Sequence, residues 1–288
     1  VFYQISHTTI YTYNQPVILK PHLLRLHPRC DRWQKLHSFV LLVEPEPANI
    51  SYFSDLDGNN LIKLWFTTAA EKLKIHIETK LETYKANPFD YLLESWALKL
   101  PYDYPYSLLT QIQPYLQPYR SSIDPFVSQL AQEICHEVNG DVLRFLSTLN
   151  QKIYSNCSYS IRETGEAMTP GITWNSKQGS CRDFAVLFME VCRAIGLGTR
   201  FVSGYQEGDL DQEQRDLHAW AEVYLPGGGW RGYDPTHGLA VSDRHVALVA
   251  SPIPQYTIPV KGHVTPLKPT WETNKPVESQ MQTHISLN

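Results

Sequence analysis

Gly179-Ser180-Cys181-Arg182-Asp183-Phe184 opens the stretch whose reading decides the fold of this chain. Ser180 is a good N-cap and Asp183 follows three positions on, a spacing that approximates a capping box. Phe184, Ala185, Val186, Leu187, Phe188, Met189, Val191, Cys192, Ala194 and Ile195 then cover almost every side of a helix, which makes it a buried one. Gly196 and Gly198 supply residues able to take the left-handed conformation that ends a helix. Cys181 falls in the first turn, at the positive end of the dipole, a placement that suits an anionic nucleophile.

A nucleophilic thiol works with a base and a group that orients the base. Leu217-His218-Ala219-Trp220-Ala221-Glu222-Val223-Tyr224-Leu225 alternates with period two and sets His218 on one strand face with Trp220, Glu222 and Tyr224. Pro226-Gly227-Gly228-Gly229 turns the chain, and Trp230-Arg231-Gly232-Tyr233-Asp234 returns as a second strand ending at Pro235. If Leu225 pairs with Gly229, Thr236 stands opposite His218. Asp234 is then the diagonal neighbour of His218 on the same face, within side-chain reach.

These three segments resemble the three motifs of the bacterial transglutaminase-like family, in which Cys181, His218 and Asp234 match the catalytic triad in order. His7-Thr8-Thr9-Ile10-Tyr11-Thr12-Tyr13, Leu24-Arg25-Leu26-His27-Pro28-Arg29 and Asp57-Gly58-Asn59 are similar to the β domain that precedes the core in such proteins. The resemblance fades beyond about Val249. It implies an α+β fold: a papain-like core of helices packed on an antiparallel sheet, preceded by a mostly antiparallel β domain. The expected division is a β domain over 1–95, an ordered Pro/Tyr-rich connector over 96–124, the core over 125–250, and an extension over 251–288 with a final strand.

The implied chemistry is acyl transfer through a thioester. His218 takes the Cys181 proton and later gives one to the leaving amine, and Asp234 holds the ring. Ser180, Arg182, Asp183, Trp220, Glu222, Trp230 and Tyr233 are expected to support the site. The backbone N–H of Cys181 is a natural oxyanion donor, with Gln178, Trp174 and Tyr159 as candidates for the second. The chain departs from the family where His237-Gly238 replaces the usual Asn-Gly, and where Ser251-Pro252-Ile253-Pro254-Gln255-Tyr256 replaces a Gly-Arg-Asp-Tyr run. Loops beside a triad shape substrate subsites, so these departures bear on substrate more than on chemistry. His237 and His245 carry no assigned role.

Length and charge set the outer bounds. The 288 residues suit two modest domains, and a net charge of −4 gives no electrostatic footprint for nucleic acid or an anionic membrane. No apolar run approaches a membrane span. Cys30, Cys135, Cys157, Cys181 and Cys192 form an odd set without a Cys-x-x-Cys pair, so neither a disulfide scaffold nor a zinc knuckle is expected, and a reducing cytoplasm fits best. His7, His22, His27, His37 and His76 lack ligand spacing. Neither metal nor cofactor is expected.

Residues 1 to about 85 carry β-rich runs at Phe2 to Tyr13, Val17 to Leu26, Ser38 to Val43, Leu61 to Thr67 and Leu73 to Leu81. Asp55-x-Asp57-Gly58-Asn59 is read as a turn in preference to a calcium loop, because the remaining ligands are missing. Helical stripes follow at Phe126 to Val138 and Val142 to Ile153, with a turn at Met168-Thr169-Pro170-Gly171. Thr199 to Tyr205 reads as a strand. Asp209, Asp211 and Glu213 read as a solvated acidic loop.

Three functions fit, in order of preference. The first is a thiol hydrolase cutting peptide, protein or amide substrates. The second is a transglutaminase passing the acyl group to an amine, and the third a catalytically silent binding protein. Oligomeric state is not legible.

Overall fold

The computed structural model describes residues 1–120, 122–162, 165–208, 216–267 and 276–288. The acidic loop with Asp209, Asp211 and Glu213 lies outside them. The chain begins with six strands, β1 (Phe2–Leu19), β2 (His22–Leu24), β3 (Gln34–Glu44), β4 (Asn49–Ser54), β5 (Asn60–Trp65) and β6 (Ala69–Thr83). Alternation explains the long ones: β1 buries Tyr3, Ile5, His7 and Thr9, and β6 buries Leu73, Ile75, Ile77, Thr79 and Leu81 on one face. Strand β4 carries no burial alternation, because all six of its residues are exposed.

Helix α1 (Tyr106–Leu116) lies inside the Pro/Tyr-rich segment. It carries an interior proline, Pro114, which removes the hydrogen bond to the Thr110 carbonyl, and the helix ends two residues later at Leu116. Then come α2 (Pro125–Glu137), α3 (Val142–Asn156), β7 (Ser158–Tyr159), α4 (Pro170–Ser176), β8 (Gln178–Gly179) and α5 (Cys181–Ala194). The expected turn at Met168 to Gly171 is instead the entry to α4, with Pro170 at the first helical position, where its fixed φ is pre-organised. The core sheet follows as β9 (Thr199–Gln206), β10 (His218–Leu225), β11 (Gly229–Asp234), β12 (Leu239–Ala240) and β13 (His245–Ser251). The chain ends in β14 (Val260–Lys261), β15 (Val264–Pro266) and β16 (Ser279–Leu287).

The layout is α+β, with an antiparallel β region and then helices on an antiparallel sheet. Strands β12-β11-β10-β9-β13 form the core sheet. A second sheet runs β15-β1-β6-β3 with β16 also paired to β1, and a third runs β14-β2-β5-β4. The final strand therefore returns to the start of the chain, Ile5 opposite Leu287 and Tyr13 opposite Ser279. Among the described residues no helix is long and apolar enough to cross a membrane.

Two large hydrophobic cores and a small cluster of Val202, Trp220, Val241 and Ala250 hold the described residues together. One joins α2, α3 and α5 to Ala219, Ala221, Val223 and Leu225 of β10, so α5 is buried on nearly every side. The other collects the inner faces of β1 and β6 together with Tyr205, Val246, Leu248 and Val249 from the core sheet. Polar stitches cross the same seam. Asn59, fully buried, donates to the Ala250 carbonyl at 2.8 Å and accepts from the Ala250 N–H at 2.9 Å. Gln34 does the same to Ala247, both at 2.8 Å. The turn bearing Asn59 is closed by Asp55, whose carboxylate accepts from the N–H groups of Asp57 and Asn59, so the turn reading stands. Tyr115 of α1 reaches both halves, with its hydroxyl on Asp57 at 3.1 Å and its ring 4.8 Å from that of Trp230.

Candidate functional site

Cys181 is the first residue of α5, and the cap that fixes it is built from Asp183. This buried carboxylate accepts from Ser180 N–H at 2.7 Å and Ser180 Oγ at 2.8 Å, and also from Met168 N–H at 2.8 Å and Arg162 at 2.6 Å. One acidic side chain thus caps the helix and binds the segment before it, as the orphan donors of a helix start require. Arg182 adds to the same bracing by donating to the carbonyls of Gly165 and Arg162.

His218 opens β10, and its partner arrives by the hairpin. The register is the one the parity argument required: Leu225 pairs with Gly229 and Ala221 with Tyr233. Gly227 and Gly229 make the turn with φ of +86° and +70°, values that side-chain-bearing residues avoid. His218 Nε2 then meets Asp234 Oδ2 at 2.8 Å, and Nδ1 is left for the thiol. Cys181 lies against the His218 ring, close enough to favour its charged form. All three side chains are buried.

Electrostatics follow from that packing. Burial pulls the His218 imidazole down, but the Asp234 charge, its hydrogen bond and the neighbouring Cys181 outweigh it and push His218 up to about 10. Burial acts to raise Asp234, yet the three surrounding imidazoles hold it well below the usual carboxylate range. The arrangement therefore favours imidazolium beside carboxylate, and it can hold or deliver a proton at Nδ1 facing sulfur.

The other expected residues divide. Ser180, Arg182 and Asp183 sit at the helix start. Trp220 is buried beside the site, its ring 6.3 Å from His218 and edge-on to His245 at 5.3 Å. Glu222 is remote from the thiol and is held by Arg200 at 2.6 Å. Trp230 stacks among Tyr115, Tyr224 and Arg200, and Tyr233 lies flat on Phe188 at 5.4 Å, so both are packing residues. Among the oxyanion candidates, Tyr159 stands by the thiol: strand β7 runs parallel to β8, pairing Tyr159 with Gly179. Its hydroxyl is pushed up to about 12, by burial first and then by Cys181 and Asp216. Trp174 is covered by Lys177, whose ammonium lies 2.9 Å from the ring centroid, and Gln178 is exposed with its carbonyl near Ser176.

Two residues without an assigned role belong to the cluster. His237 Nδ1 is 3.0 Å and His245 Nε2 is 3.2 Å from the same Asp234 Oδ2. Sequence spacing gives His237 away, since it lies three residues past Asp234 in the turn. His245 gives no such signal, because only the pairing of β13 with β9 brings it near.

Residues 3–82 match the bacterial transglutaminase-like N-terminal region, and residues 128–235 match the transglutaminase-like superfamily. An uncharacterized protein of Mycobacterium tuberculosis is 26% identical over 263 residues, covering 85% of this chain and 82% of its own length. A protein-glutamine gamma-glutamyltransferase of Pseudomonas aeruginosa is 34% identical over 84 residues, 27% of this chain and 13% of that protein. The crystal structure of a Cytophaga hutchinsonii protein, provisionally named a cysteine protease, shares the fold with a TM-score of 0.73 at 20% identity, covering 100% of this chain and 90% of that one. The chain is a bacterial transglutaminase-like protein, with the family's N-terminal region over 3–82 and a transglutaminase-like superfamily core over 128–235.

Proposed function

We propose that this chain is a thiol-dependent acyl-transfer enzyme that hydrolyses peptide or amide bonds through Cys181, His218 and Asp234. The observation that carries the reading is the position of His218, with Nε2 on a buried carboxylate at 2.8 Å and the rest of its ring against a thiol at a helix start. Attack of the sulfur on an amide carbonyl forms the C–S bond and places negative charge on oxygen. The Cys181 N–H, which has no intrahelical acceptor at the first helical position, is oriented to meet that charge. Collapse breaks the C–N bond, and the proton on His218 Nδ1 goes to the departing amine, leaving a thioester. Water then gives a proton to His218 as it attacks, and acid and thiol are released. Asp234 stabilises the imidazolium throughout.

Transfer to an amine is the second reading, favoured by the 84-residue match to a protein-glutamine gamma-glutamyltransferase. Both routes share the thioester and part only at the acceptor. The protein, a competent acyl donor and rising primary amine should be mixed and the products followed by mass spectrometry. Acid product throughout is expected; amide dominating at low amine would replace hydrolysis by transfer.

A further inference from the structure

Three imidazole nitrogens crowd one carboxylate oxygen. Asp234 Oδ2 has His218 Nε2 at 2.8 Å, His237 Nδ1 at 3.0 Å and His245 Nε2 at 3.2 Å, while Oδ1 accepts from Thr236 N–H at 3.0 Å. That is more donors on Oδ2 than it has lone pairs. The thiol chemistry uses His218 and needs no second ring on the carboxylate. His237 is also the open member, 41% exposed, whereas His218, Asp234 and His245 are buried.

We propose that His218 Nε2, Asp234 Oδ2 and His237 Nδ1 form a binding site for a divalent transition-metal ion of the zinc type, and that an ion there silences the thiol. The silencing rests on the proposed thiol chemistry; the binding does not. The three ligand atoms lie within 4.8 Å of one another. A tetrahedral ion with bonds of about 2.0–2.2 Å sets its ligand atoms about 3.3–3.6 Å apart. The two hydrogen bonds at 2.8 and 3.0 Å therefore open by about 0.3–0.8 Å, and the two imidazole nitrogens, within 4.8 Å of each other, settle to the same spacing as the ion enters.

Donor chemistry selects the ion. Two imidazoles and one carboxylate suit zinc and its neighbours, whereas calcium and magnesium demand oxygen shells that this cluster does not offer. His245 fits as the outer partner: its side chain, 2% exposed, holds the same carboxylate oxygen at 3.2 Å, as metal-bound carboxylates are usually held. The exposure of His237 leaves solvent access for water as a fourth ligand. The consequence for the thiol follows from proton placement. A ring that gives its Nε2 lone pair to a metal carries its proton on Nδ1, so His218 has no lone pair left to accept a proton from sulfur or water. Coordination therefore removes the base without touching Cys181.

The test uses the 288-residue chain, Zn2+ as probe and a chromophoric chelator as competitor, in wild type, His237→Asn and Cys181→Ala. Wild type and Cys181→Ala are expected to bind one ion with the same affinity. His237→Asn should bind at least ~10-fold more weakly, since losing even an outer partner costs that much. Zn2+ should slow iodoacetamide labelling of Cys181 in wild type far more than in His237→Asn. Wild-type affinity in His237→Asn would identify an adventitious ion on surface histidines and overturn the site, as would loss of binding in Cys181→Ala. If His237→Asn does not fold, Co2+ loaded into wild type decides: a spectrum from nitrogen and oxygen ligands supports the site, and a thiolate charge-transfer band overturns it. A Cys181 that is unreactive without metal would sink the thiol enzyme while leaving the binding result intact.

Discussion

Asp234→Asn isolates the charge that organises the site, because an amide keeps the shape of the carboxylate while losing its ion pair with His218. In the native protein His218 is moved from its ordinary 6.5 to about 10, a preference for imidazolium on the order of 5 kcal/mol. Cys181 supplies part of that, so breaking the buried pair with Asp234 is expected to cost about 3–5 kcal/mol of stability. The sign is fixed by linkage. A raised folded value stabilises fully below the unfolded value of about 6.5, and the stabilisation is lost as pH rises through about 10. Asp234, held low, contributes above the ordinary carboxylate range and loses its contribution only as pH falls through its folded value. The gap between wild type and Asp234→Asn is thus widest near pH 6 and closes toward pH 10. Urea unfolding at pH 6, 8 and 10 measures it. A gap that is constant from pH 6 to 10, or under about 1 kcal/mol at pH 6, would refute the pairing. Turnover should also fall by about 10⁴, since a buried amide favours the wrong tautomer of the histidine.

Three further outcomes are expected. His7, buried between Tyr205 at 2.8 Å and Thr9 at 3.0 Å, is lowered to about 4 by burial first and His76 second. Its neutral form is the folded one, so stability should drop by about 3 kcal/mol as pH falls from 6.5 to 4, and His7→Gln should flatten that slope in acid denaturation. Asn59→Ala leaves both polar groups of Ala250 unpaired in a buried seam; a loss of about 2–4 kcal/mol in thermal or urea unfolding is expected. Gly204→Ala would place a Cβ 2.1 Å from the Val246 carbonyl and 2.7 Å from the Trp220 ring, so β9 and β13 should separate, seen as lost amide-exchange protection in β13.

Much of this was legible because its signals are local. The all-round apolar run after Ser180 and its acidic cap specify α5 and place Cys181, and strand parity with a three-glycine turn specifies the His218–Asp234 register. What escaped reading depends on long-range pairing. Asn59 reads as a turn residue until β13 is laid against it, and His245 is an unmarked histidine until β13 pairs with β9. Glu222, Trp230 and Tyr233 share motifs with His218 and Asp234, and motif membership could not separate packing from proximity to sulfur. Helix α1 was obscured by Pro114, a residue that disfavours a helix interior and stands here two residues before the helix ends.

The central claim is that Cys181 becomes acylated with His218 as its base, and the chain carries its own control in Cys30, an exposed free cysteine. Wild type, His218→Ala and Cys181→Ala should be incubated near neutral pH with an electrophilic peptide acyl donor, quenched in acid and digested, and the thioester mapped by mass spectrometry. The account predicts an adduct on Cys181 of wild type that hydroxylamine releases, with no adduct above the Cys30 background in either variant. Acylation of Cys181 and Cys30 to equal extents, or undiminished acylation of Cys181 in His218→Ala, would contradict it.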